Sequence, residues 1–146
     1  MLADARMILE YAKTIAVVGA SRDPNKPSGS VPRLMQQHGW RIIPVNPFAD
    51  ELFGERAYRS LRDIPEKVDL VDVFRPSADT PPIARDAVAI GARALWLQSG
   101  IRNGEARRIA ETAGLDYVED ECVAVVRSIH RIMRAPASMK QGGNNA

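Results

Sequence analysis

Glycine, small hydroxyl residues and cations gather in one short stretch: Gly19-Ala20-Ser21-Arg22, then Lys26, Ser28 and Ser30, directly after an apolar run. A glycine at that point allows a tight turn and close backbone approach. Pro32 is tolerated only in a helix's first turn, so the next helix is expected to begin near Ser28–Ser30, with one of those serines as N-cap. Free amides at that terminus, with Arg22 and Lys26 beside them, favour a phosphate, because the donors and the helix dipole act together. A serine-capped helix behind a solvated surface loop is the plainer alternative.

The following loop narrows the ligand. A dinucleotide site presents an acid at the end of its second strand to bond ribose hydroxyls. Here that strand ends in Asn46-Pro47, and Asp50 arrives later. The second and third glycines of G-x-G-x-x-G are also missing, so NAD is disfavoured. An NADP-type oxidoreductase or redox sensor stays open, since Arg22 or Lys26 suits a 2′-phosphate. Arg75, beside Pro76, ends another apolar run and reads as a binding-edge cation, with pairing to Asp72 or Asp79 as the structural alternative.

Other chemistry-bearing residues have plainer readings. His38, before the helix-ending Gly39, reads as partly buried or as a C-terminal cap, and His130 as surface. Cys122 stands near the start of the last helix, where a thiolate would be stabilised, but packing as a small hydrophobe is the favoured reading. Asp120 is the N-cap candidate for that helix, Glu119 and Glu121 read as solvated, and Trp40 and Trp96 as core. No catalytic acid–base pair, metal-ligand cluster or activated nucleophile is legible, which favours a binding module over an enzyme or a purely structural domain.

The elements that must position these residues alternate. Short β-rich runs at Thr14–Gly19, Arg41–Val45, Asp69–Phe74, Ala94–Gln98 and Asp116–Val118 lack clean period-two alternation, as parallel strands covered on both faces do. Helical spacing joins Val31, Leu34, Met35 and His38; Ala84, Ala87, Val88 and Gly91; and Ala106, Ile109, Ala110 and Ala113. A last helix, about 122–133, is expected to present Val125, Val126, Ile129, Ile132 and Met133 on one side. This pattern predicts an α/β fold: a Rossmann-like doubly wound parallel sheet of about five strands with helices on both faces, in a single domain. Its ligand belongs beyond the carboxyl ends of the strands, where the strand order reverses.

Composition agrees. The 146 residues fit one domain, and 45% hydrophobic with 26% charged is globular usage. A net charge of +2 makes no case for nucleic acid and suits an anionic small ligand. One cysteine excludes an intrachain disulfide and fits a cytoplasmic setting. No apolar stretch approaches membrane-spanning length. Residues 1–13 read as an amphipathic helix whose Met7, Ile8 and Tyr11 serve a homo-oligomer or protein interface or cover a sheet edge. Residues 1–134 are expected to form the domain and 135–146 a disordered tail, having nothing to bury.

The stretches "VVGASRDPNKPSGSVPRLMQQHGWRIIPVNP", "GERAYRSLRDIP", "VDLVDVFRP", "GARALWLQSGI" and "VEDECV" resemble the small stand-alone CoA-binding domain proteins. These are similar to the domain that opens succinyl-CoA synthetase alpha subunits. The resemblance spans about 14–134 and implies a Rossmann-type domain that binds coenzyme A or an acyl-CoA, with no reaction attached. The synthetase's phosphorylated histidine lies in a second domain that has no counterpart here. The resemblance implies that Gly19, Ala20, Ser21, Lys26 and Ser28 hold the CoA phosphates. Asn46 and Pro47 would line the cleft, Arg75 and Pro76 face the adenosine or pantetheine arm, and Gln98, Gly100 and Ile101 form the next loop. With CoA bound, Cys122 becomes a candidate for a mixed disulfide with its thiol.

Overall fold

A computed structural model describes residues 3–134; the tail expected over 135–146 falls outside them. Five parallel strands form the sheet: β1 (Thr14–Val18), β2 (Arg41–Val45), β5 (Leu70–Val73), β6 (Ala94–Leu97) and β7 (Asp116–Val118). Their order is β2-β1-β5-β6-β7, so the chain steps outward from β1, then returns to its other side. That reversal puts the switch point between β1 and β5. A small antiparallel hairpin, β3 (Glu51–Leu52) and β4 (Glu55–Arg56), was not expected from the sequence. It turns through Phe53 and Gly54, both at positive φ (58° and 74°), the conformation that two-residue hairpin turns require.

Five helices cover the sheet: α1 (Ala5–Tyr11), α2 (Pro27–Gln37), α3 (Thr80–Ala89), α4 (Gly104–Thr112) and α5 (Val123–His130). Alternate strand residues feed two cores. Ile15, Val17, Leu70 and Trp96 pack with Ile8, Met35 and Val126 of α1, α2 and α5. Ala16, Val71, Leu95 and Leu97 pack with Ala84, Ala87, Ala106 and Ala110 of α3 and α4. Both tryptophans are core residues, as the sequence indicates. His38 does cap α2, its Nδ1 lying 2.8 Å from the Leu34 carbonyl oxygen. Gly39 follows at φ 101°.

Several local expectations need correction. The α2 helix starts at Pro27 behind Lys26, so no serine is its N-cap, and Pro32 lies inside it. A proline there leaves the Ser28 carbonyl without its intrahelical donor; the Ser21 amide takes that place at 3.0 Å. The internal proline is therefore tolerated because the preceding loop uses the carbonyl it frees. The apolar face also differs: Gly29, Pro32 and Met35 are buried while Leu34 is partly exposed.

On α5, Val123, Ala124 and Val126 are buried, whereas Val125, Ile129 and Met133 are exposed, a rotation from the expected face. Asp120 does not cap this helix. It sits at φ 58° and accepts from the Gly100 amide at 2.6 Å and from Arg102; the Gly100 bond first, and then Arg102, hold its carboxyl below the usual range. The cap comes instead from Gln98, whose Oε1 accepts from the Val123 amide at 3.1 Å. Glu119 is not simply solvated, since it accepts from the Tyr117 hydroxyl at 2.9 Å.

At the amino end, Asp116 accepts from the Ala3 amide and the Tyr11 hydroxyl at 2.9 and 2.8 Å, tying the first helix to the β7 edge. Ile8 of that helix is buried and Met7 exposed. Asp72 is the anomaly in the sheet. It pairs with Val17 and Trp96 in mid-sheet, and its Oδ1 has no hydrogen-bond partner among the described residues. Burial pushes its carboxyl well above its ordinary value of 3.8.

Two expectations follow. Unfolded, Asp72 ionises above about pH 4, whereas folded it keeps its proton to higher pH. Between those points the native state binds more protons, so stability falls as pH rises. Asp72→Asn should gain on the parent by up to about 1.4 kcal/mol per pH unit through that interval, and the difference should become constant below about pH 4. Urea unfolding across a pH series measures this; parallel profiles would show a carboxyl that ionises normally in the fold. At Gly29, a Cβ would stand 2.0 Å from the Asp23 carbonyl oxygen. Gly29→Ala should destabilise by about 1–3 kcal/mol, outweighing alanine's helix preference of about 1 kcal/mol. A thermal midpoint at or above the parent's would show that the loop yields freely.

Candidate functional site

Gly19 closes β1 at φ 85° and donates its amide to the Val45 carbonyl at 3.2 Å. A Cβ there would stand 2.7 Å from the Phe74 carbonyl oxygen, so only glycine lets the ends of β1 and β5 approach this closely. Asn46 locks the next loop to the first. Its Nδ2 donates to the Ala20 carbonyl at 2.9 Å, and its Oδ1 accepts from the Phe48 and Ala49 amides, each at 2.8 Å. The side chain that replaces the dinucleotide-site acid is thus a loop clamp.

Two cavities open at this carboxyl edge, at the switch point. The first, about 690 Å³, is lined by Gly19, Ala20, Asn46, Pro47 and Phe48 from the β1 and β2 loops together with Arg59, Leu61, Arg75, Ile83 and Asp86. The second, about 600 Å³, runs between α2 and the β6 loop, lined by Lys26, Ser28, Val31, Phe74, Arg75, Pro76, Gln98, Ile101 and Cys122. Arg75 borders both. Its guanidinium pairs with Asp79 at 2.9 Å and stays half exposed, so the structural alternative and the site position hold together. A pair this exposed contributes little to stability and yields readily to a stronger anion.

The candidate residues divide accordingly. Gly19, Ala20, Asn46, Pro47 and Arg75 meet at the first cavity; Lys26, Ser28, Arg75, Pro76, Gln98 and Ile101 meet at the second. The Ala20 and Ser28 amides donate to no atom among the described residues, leaving a donor on each side of the seam. Ser21 lines neither cavity. Its amide goes to Ser28 and its Oγ accepts from the Asp23 amide at 3.1 Å, so it shapes the loop. Arg22 points away, into a separate cleft of about 520 Å³ beside Glu51, whose carbonyl accepts from it at 3.4 Å. Gly100 turns the β6 loop at φ 80° without lining either cavity.

Sequence reasoning did not single out Arg59, Leu61, Ile83 and Asp86, which form the far wall of the first cavity. The stretch "GERAYRSL" carried part of that signal, but nothing local shows that the loop folds back over β2. Tyr58 does so, its amide donating to Pro44 at 3.0 Å and its carbonyl accepting from Asn46 at 2.9 Å. Cys122, favoured as packing, is half-buried against the α2–α5 core and also lines the second cavity. Among the described residues no group of acids, histidines or cysteine could hold a metal ion, and no helix is long and apolar enough to cross a membrane.

Known proteins share this fold and sequence. The chain is 38% identical over 127 residues to the uncharacterized protein YneT of Bacillus subtilis, covering 87% of this chain and 94% of that one. It is 32% identical over 105 residues to acetate–CoA ligase (ADP-forming) II of Archaeoglobus fulgidus, covering 70% of this chain but 16% of the ligase. The solved structure of cell-free ID.343 from Thermus thermophilus superimposes with a TM-score of 0.82 at 42% identity, covering 87% of this chain and 98% of that one. Residues 13–128 match the family model described as CoA binding domain. The chain belongs to the CoA-binding domain family.

Proposed function

We propose that this protein is a coenzyme A or acyl-CoA binding module, acting as a carrier, a sensor or a partner of another protein. The observation that carries this reading is the pair of cavities meeting at Arg75, on a chain of this family. Coenzyme A is a long ligand with two unlike ends: a nucleotide bearing a pyrophosphate and a 3′-phosphate, and an uncharged pantetheine arm. Two cavities joined at a cation fit that shape better than one compact pocket. The free Ala20 and Ser28 amides add donors where a pyrophosphate crosses the seam.

The Asn46 clamp supports coenzyme A over NAD. Its carboxamide is spent on Ala20, Phe48 and Ala49, so no carboxylate waits for ribose hydroxyls at the end of β2.

Titration calorimetry with CoA, acetyl-CoA, NAD and NADP tests the reading. CoA or acetyl-CoA should bind and NAD should not; NADP binding without a CoA response would return the protein to the oxidoreductase alternative. Lys26→Ala and Arg75→Ala should each weaken CoA binding by about 1–3 kcal/mol, the usual worth of a charge-assisted hydrogen bond. Unchanged affinity in both variants would remove these residues from the site.

A further inference from the structure

We infer that the first cavity takes the nucleotide end of coenzyme A and that Arg59 reads its ribose 3′-phosphate. This assignment rests on the CoA reading above and adds an orientation and a specificity-determining residue to it. Arg59 and Arg75 are the cations among the residues lining this cavity. Arg75 stands at the seam with the second cavity, where a pyrophosphate joins the two halves of the ligand. Arg59 lines the first cavity and not the second, beside Ser60 and Leu61, and so is the cation placed for the phosphate on the ribose. The carboxylates of the same cavity already have partners: Asp79 pairs with Arg75 at 2.9 Å and Asp86 with Arg62 at 2.7 Å.

Arg59 itself is held by contacts that a phosphate displaces. Its NH2 group pairs with Asp50 at 2.8 Å, and its NH1 group donates to the Ala49 carbonyl. The Asp50 side chain is 94% exposed, so this pair is screened by water and contributes little. A doubly charged phosphate accepts both guanidinium edges at once and outcompetes a solvated carboxylate. Exposed Phe48, on the lip of the same cavity, offers an aromatic face to a base.

The second cavity suits the other end. Apart from Lys26 and Arg75, its lining is neutral: Val31, Phe74, Ile101 and Gln98 among others. Gln98 is 4% exposed, and its Oε1 is fixed by the Val123 amide, while its Nε2 donates to no atom among the described residues. A buried amide donor fixed in this way suits the amide carbonyls of a pantetheine arm.

Calorimetry of CoA and 3′-dephospho-CoA against the parent, Arg59→Ala and Arg59→Lys decides the matter. The parent should prefer CoA by on the order of ten- to a hundredfold. Arg59→Ala should erase that preference by weakening CoA far more than dephospho-CoA, whose retained binding shows that the variant is folded; Arg59→Lys should restore part of it. A parent without preference, or an alanine variant that keeps it, overturns the assignment while leaving CoA binding in place. Failure of both ligands to bind the parent overturns the CoA reading and this inference together.

Discussion

The close approach of two strand ends is the constraint on which the site depends. Where β1 ends, the backbone at Gly19 passes so near the Phe74 carbonyl that no Cβ fits between them. That contact brings the β1 loop and the β5 loop to one point, with Arg75 immediately after Phe74. The cavities lie on either side of it because the chain leaves β1 toward β2 and returns toward β6. Any side chain at position 19 would force the strand ends apart and move Arg75 from the seam.

Holding the β1 loop in place takes several weak devices working together. Pro32 frees the Ser28 carbonyl, and Ser21 uses it. Gly29 lets the loop lie directly on the first turn of α2. Asn46 reaches across from the neighbouring strand to hold the Ala20 carbonyl. Each contact alone is worth about 1 kcal/mol. Their joint effect is to fix in advance where the unpaired amides of Ala20 and Ser28 stand, which lowers the ordering cost for any anion that accepts from them.

The architecture was legible in the sequence because parallel strands buried on both faces announce themselves as short apolar runs. All five appear within a residue or so of their positions in the structure. The start of α2 was not legible, for a specific reason. Pro32 normally marks a first turn, and only the contact between Ser21 and Ser28 allows it farther in. Asp120 failed as a cap for a similar reason: its partners, Gly100 and Arg102, belong to a loop some twenty positions earlier. The near wall of the site could be read from glycine, proline and cations at strand ends. The far wall, with Arg59 and Asp86, depends on a loop folding back through Tyr58 against β2, which no local pattern encodes.

A cleft built this way is self-contained. Every residue lining either cavity lies between Val18 and Cys122 and comes from a strand end, the loop after it, or the first turns of the helix it feeds. Both cavities are therefore lined by one sheet edge and the loops and helix starts that follow its strands. A matched segment that is most of this chain, yet 16% of a much longer ligase, is what such independence permits. A module whose cleft is fixed by its own strand order can stand alone or be joined to other domains without rebuilding the site.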